Sequence, residues 1–317
     1  MTTLAHDIRP EARSSRTLQG LGFALISAAS FGLSGALARG LLDTGWSPGA
    51  VSLVRIAIAA VVVAPFGAAA MRGRWHLVRR QARGLVGYGL VAVAMPQFAY
   101  FSAVAHMQVG PALLIEFTAP AAVVVFLWLR RGERPSRVTL GGAVLAALGL
   151  VLVLDLVSGA QLSAVGVAWA LVAMVGCATY FVLSGDETTG LPPLALAAGG
   201  MLVAAVALAL LGLVGALPMR TSSRAVELAG HAVAWWVPLV LLGVVTAAIS
   251  YGAGIAAVRR LGSRLASFVA LLEVLSGVLW AWLLLDELPH AIQLLGGLLV
   301  LAGVVAVKLG ERRTTAA

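Results

Sequence analysis

Glu287-Leu288-Pro289, followed by Gly296 and Gly303, has a counterpart upstream in Glu133-Arg134-Pro135, followed by Gly142 and Gly149. Both stretches read E-x-P-x6-G-x6-G. Each follows a long apolar run and opens a second one whose glycines stand one heptad apart. Identical spacing in identical context marks an internal duplication. The copies differ in charge. The upstream break carries Arg130, Arg131, Arg134 and Arg137, whereas the downstream break carries Asp286 and Glu287 and no Lys or Arg. Membrane proteins keep Lys and Arg on the cytoplasmic side. The two copies are therefore expected to face opposite sides of a bilayer, as in an inverted repeat.

Composition supports the bilayer. The chain has 317 residues, is 61% hydrophobic and 11% charged, with a mean hydropathy of +0.99. A soluble domain carries about 25% charged residues, so a soluble α/β protein with buried strands would lack polar helix faces. Uncharged runs of at least ~18 residues read as spanning helices. Residues 84–105, 156–185, 188–219 and 228–258 supply or approach this pattern. The net charge of +9 comes almost entirely from arginines clustered between apolar runs. Membrane orientation explains that better than nucleic-acid binding. The single cysteine, Cys177, excludes an intramolecular disulfide and a thiolate metal cluster. Residues 1–17 are polar and carry Asp7 and Glu11, which is not the pattern of a cleavable signal peptide.

The apolar periodicity predicts an all-α integral membrane protein of ten transmembrane helices. They are expected near 18–38, 48–67, 84–105, 109–130 and 138–157, then 162–184, 191–215, 235–258, 264–285 and 290–309. Residues 1–17 and 310–317 read as cytoplasmic tails, the first of them disordered. Residues 18–157 and 161–309 read as two five-helix repeats of one bundle. With both termini cytoplasmic, every Lys and Arg falls inside except Arg39, Arg220 and Arg224, which fall outside, and Arg55, which lies in the membrane. An odd number of helices per half inverts the second half. The charge flip between the two breaks and the helix count agree, though they rest on different residues.

The two helix-break-helix units resemble the EamA-type transporters of the drug/metabolite transporter superfamily. The resemblance is carried by Pro120 through Leu129, Gly132-Glu133, Gly142 and Gly149. In the second half it is carried by Leu271-Leu272-Glu273 through Leu285, Asp286-Glu287, Gly296 and Gly303. Arg55 looks like the arginine often found in the family's first repeat. Family members usually have proline after the glutamate of the ninth helix, where this chain has Val274. The run Leu114-Ile115-Glu116-Phe117 before Ala119-Pro120 is similar to the threonine/homoserine exporter branch. The resemblance implies a ten-helix bundle with a central cavity, in the cell inner membrane. It also implies a secondary active or facilitative transporter that moves a small metabolite or amino acid, usually outward, by alternating access.

Ionisable groups at membrane depth cost roughly 2.5–3.5 kcal/mol on insertion scales, so each needs a partner or a task. Glu273, Glu116 and Arg55 are the three. The carboxylates are candidates to line the cavity, hold an ammonium group or carry a proton. The alternative is that Glu116 neutralises Arg55 as an intramembrane ion pair and Glu273 bonds a neighbouring helix. Gln97 and Tyr100 share a helix face, as do Glu273, Ser276 and Trp280. With Tyr251 they complete the expected substrate-binding set, although interhelical bonding is their commoner use. Glu133 and Glu287 read as helix-start residues. No HExxH, GxSxG or P-loop occurs, and the five histidines are scattered. The expected partners are a small-molecule substrate and lipid, with no cofactor, no metal and no nucleic acid. Proton coupling and oligomeric state stay open. A membrane-embedded enzyme acting on a lipid or small polar substrate is the alternative.

Overall fold

The computed structural model describes residues 10–107, 109–132, 135–153, 163–285 and 291–314. Six residues of the two breaks, Glu133, Arg134, Asp286, Glu287, Leu288 and Pro289, lie outside that set. In chain order the helices are α1 (Pro10–Gly32), α2 (Ser34–Asp43), α3 (Pro48–Ala70), α4 (Trp75–Arg80), α5 (Ala82–Gly87), α6 (Met95–His106), α7 (Val109–Glu116), α8 (Ala119–Arg131) and α9 (Arg137–Val153). They continue with α10 (Ala164–Ser184), α11 (Pro193–Leu213), α12 (Trp236–Gly243), α13 (Ser250–Leu261), α14 (Ser263–Val269), α15 (Leu272–Leu285) and α16 (Ala291–Thr314). Among the described residues, seven helical stretches are long and apolar enough to cross a bilayer: Arg16–Asp43, Pro48–Ala70, Ala82–His106, Ala164–Ser184, Pro193–Leu213, Trp236–Leu261 and Ser263–Leu284. Three shorter apolar helices, Ala119–Arg130, Arg137–Gly149 and Leu294–Val307, complete the bundle. Val61, Phe66, Leu129, Leu202, Leu213 and Leu298 stand exposed on its flanks, where only lipid would accept them.

Packing crosses between the halves in a reciprocal pattern. α1 lies along α13 and α10 along α6, while α3 faces α11 and α9 faces α16. The repeated glycines explain the last pair. A Cβ added at Gly142 would sit 2.8 Å from the carbonyl of Gly303, and one at Gly149 would sit 2.6 Å from the carbonyl of Gly296. The glycines therefore meet each other across two antiparallel helices, and their lack of a side chain lets the backbones touch.

Several continuous helices expected from the periodicity are interrupted. The first is divided at Leu33, between α1 and α2. The fourth breaks at Phe117-Thr118, between α7 and α8, and the ninth at Ala270-Leu271, between α14 and α15. Pro120 lies in the first turn of α8, which accounts for the break before it. The ninth helix breaks without a proline: Glu273 N–H bonds the Ala270 carbonyl at 2.8 Å and Val274 N–H the Leu271 carbonyl at 3.1 Å. These are three-residue spacings of a tightened turn. The third span of each half also contains a π-helical segment, at Tyr88–Ala94 and Val244–Ile249.

Two further departures concern the ends and the loops. Residues 10–17, read above as part of a tail, are helical and continuous with α1. The architecture is all-helical as expected, apart from one short hairpin, β1 (Val226–Leu228) and β2 (His231–Val233), within the connection read as a loop. Ala229 and Gly230 both take positive φ, 51° and 72°, which gives a tight two-residue turn. Val226 and Leu228 are buried, and Ala229 N–H donates to the Leu284 carbonyl at 2.6 Å, so the hairpin seals one end of the bundle.

Gly149→Leu is expected to lower stability by about 1–3 kcal/mol through overpacking against α16. Gly141→Leu, which has open space at its Cβ, is expected to leave it unchanged. Thermal unfolding in detergent distinguishes the two.

Candidate substrate-binding site

Helices α1 and α6 and the second π-helical segment meet around one buried side chain. Arg55, from the N-terminal half of α3, is 0% exposed. Its Nη1 donates to Gln97 Oε1, and its Nη2 donates to the carbonyl of Thr246 at 2.7 Å. Gln97 in turn donates through Nε2 to the Tyr251 hydroxyl at 2.8 Å. Thr246 belongs to the second π-helical segment, and its own hydroxyl donates back to the Leu242 carbonyl at 2.8 Å. Phe31 and Phe101 lie near the guanidinium, with ring centroids 5.0 Å and 5.5 Å from Cζ. A cation is thus held in an apolar interior by directed hydrogen bonds and ring faces.

The two carboxylates flank the helix breaks. Glu116 is the last residue of α7, and Glu273 lies in the first turn of α15. Glu116 is buried; Glu273 is half-buried. Arg55, Glu116 and Glu273 are close enough to act on one another electrostatically. Among the described residues, however, no salt bridge joins Arg55 to Glu116: the guanidinium is turned to Gln97 and Thr246 instead. Two buried polar atoms of opposite charge are left without a hydrogen-bond partner, Arg55 Nε and Glu116 Oε2. Buried charged groups in that state are costly.

The remaining expected residues fall into two groups. Gln97 and Tyr251 join the Arg55 network, and Tyr100 is buried beside it, its ring 5.5 Å from that of Phe101. Ser276 and Trp280 serve local structure: the Ser276 hydroxyl donates to the Leu272 carbonyl at 3.0 Å, and Trp280 Nε1 donates to the Ala29 carbonyl at 2.9 Å. The face they share with Glu273 is nonetheless the face toward the first helix. A Cβ at Gly32 would meet Ser276 Cβ at 2.6 Å and the Glu273 carbonyl at 2.9 Å. The joint at Leu33 therefore rests on the start of α15. Sequence reasoning missed Phe31, Phe101 and the Thr246 carbonyl. A backbone acceptor has no sequence signal, and two phenylalanines in apolar runs read as core.

The two carboxylates thus stand beside broken helices in the interior of an apolar bundle. A profile of the EamA-like transporter family matches residues 18–155 and 164–309. This chain belongs to the EamA-like transporter family. It is a multi-pass membrane transporter of small metabolites and not an enzyme. It is similar to the threonine/homoserine exporter RhtA of Salmonella typhimurium strain LT2, 28% identical over 92% of this chain and 90% of the relative. The protein of that name from Escherichia coli strain K12 is 27% identical over the same shares. The fold also matches a solved crystal structure with a TM-score of 0.75 at 22% identity, covering 95% of this chain and 99% of the other.

Gln97→Leu is expected to destabilise the protein by about 1–3 kcal/mol, because it leaves an Arg55 donor buried and unpaired. Tyr251→Phe removes a single acceptor and is expected to cost less. Melting temperatures of the two variants, measured side by side, test the ranking.

Proposed function

We propose that this EamA-family transporter exports an amino acid or a closely related zwitterion across the inner membrane. The observation that carries this reading is the central pair of unsatisfied, opposite charges, Glu116 Oε2 and Arg55 Nε, with Glu273 alongside. Glu116 and Glu273 would hold the ammonium group. Gln97, Tyr100 and Tyr251 would line the polar wall, with Ser276 and Trp280 on the α15 side. The names of the exporters this chain resembles support the substrate class and the outward direction. Transport would be secondary active or facilitative.

In this reading the bundle is two inverted five-helix repeats, 18–157 and 161–309, ten spans in all, with cytoplasmic termini. The antiparallel meeting of α9 with α16 and the reciprocal packing of α1 on α13 and α10 on α6 support it. Alternating access would rock the halves about the central charges. The breaks at Phe117-Thr118 and Ala270-Leu271 would let the segments on either side move separately. Protonation of a central carboxylate would supply coupling to a proton gradient.

Two measurements test the proposal. Proteoliposomes preloaded with threonine or homoserine should show saturable counterflow of labelled substrate, and Glu273→Gln should lower it at least tenfold with expression intact. Absence of exchange across a broad amino-acid panel, or full activity in the variant, would overturn the substrate class or the role of Glu273. Reporter fusions after Arg134 and after Leu288 should report opposite compartments.

A further inference from the structure

No Asp or Glu occurs between Asp43 and Glu116, yet residues 72–83 carry Arg72, Arg74, Arg79, Arg80 and Arg83. All five are exposed, and none of their side chains has a hydrogen bond or ion pair among the described residues. The segment begins where the apolar span Pro48–Ala70 ends, so it lies at the bilayer surface. Trp75 is 57% exposed there and suits the headgroup layer. Leu77 and Val78 pack on the core and hold α4 against the bundle, so Arg79 and Arg80 are presented on a fixed element. A cavity of about 440 Å³ opens beside them, lined by Ala70, Arg74, Leu191, Glu187 and Arg259. Glu187 is engaged by Arg16 at 3.4 Å, which leaves Arg74 as an uncompensated charge on the cavity wall.

From this we infer that the 72–83 segment and the adjoining cavity bind the phosphate-bearing headgroup of an anionic phospholipid. The recognised chemistry is a phosphate anion, and its source is the lipid leaflet at this end of the bundle. Exposed apolar side chains flank the site, Phe66 on α3 at 60% and Leu194 on α11 at 40%, and both would accept an acyl chain. A free anion could use the arginines but not that apolar flank. Orientation in the membrane alone would explain a diffuse basic loop. It does not call for a rigid element with a cavity, an exposed tryptophan and lipid-facing apolar residues beside it.

The experiment uses the full chain purified in a neutral detergent. Its melting temperature is followed on titration with cardiolipin, phosphatidylglycerol, phosphatidylcholine or inorganic phosphate. The anionic lipids are expected to raise it saturably and the other two are not, with the effect weakened in high salt. Arg79→Gln/Arg80→Gln, at two exposed sites, should weaken the apparent affinity for cardiolipin at least tenfold. Arg79→Lys/Arg80→Lys should restore most of it, and Arg220→Gln/Arg224→Gln, in the distant connection, should leave it unchanged. Equal stabilisation by phosphatidylcholine would overturn the inference, as would reproduction by inorganic phosphate or an undiminished response in the Arg79/Arg80 glutamine variant.

Discussion

A guanidinium cannot be left bare in the interior of a lipid-embedded bundle, and the centre of this protein is arranged around that constraint. Arg55 reaches out from α3 to Gln97 at the start of α6 and to a carbonyl in the π-helical segment before α13. Gln97 then ties α6 to Tyr251 on α13. One side chain thus connects the second and third helices of the first half to the third helix of the second. A desolvated cation gains little from contact alone; it needs oriented oxygen atoms. The π-helical segment shows how the fold meets that need, through a main-chain carbonyl instead of a further polar side chain.

The interruptions follow a similar logic. Intact helices satisfy their backbone internally and offer a solute nothing but side chains. Here helices are interrupted within the bundle at Leu33, Phe117-Thr118 and Ala270-Leu271, and the two carboxylates stand at two of those joints. The joints face one another because glycines allow it: Gly32 rests on the first turn of α15 with no room for a side chain. Membership in a transporter family accords with a bundle that keeps its irregular backbone in the protein interior and away from lipid.

Much of this was legible beforehand. Charges inside apolar runs are rare enough that Arg55, Glu116 and Glu273 declared themselves, and the E-x-P breaks with their paired glycines exposed the duplication. Gln97 and Tyr251 were legible as polar residues on apolar helices, but their mutual bond was not. The breaks were harder to read. Helices apolar on all sides have no phase to lose, so neither the π-helical segments nor the joint at Leu33 leaves a trace in the periodicity. The ninth helix misled in a particular way: Val274 occupies the place where a proline would signal a kink, and the chain breaks three residues earlier regardless. The hairpin at 226–233 was hidden because three-residue strands around Ala229-Gly230 look like any polar connection. The Arg55–Glu116 pairing seemed natural from opposite sign and similar depth. The guanidinium instead found neutral oxygens, which sequence cannot rank against a carboxylate.

The reciprocal packing of the halves bears on how such a chain is made. α1 leaves the ribosome well before the helix it lies along, α13, is synthesised. Arg55 likewise waits for Thr246, encoded 191 positions later. At about 5–20 residues per second, that interval is roughly 10–40 s. Throughout it, the nascent first half sits in the bilayer with a cation that has Gln97 within reach but not yet its second acceptor. Biogenesis therefore depends on water, lipid headgroups or the insertion machinery sheltering that charge until the second half arrives.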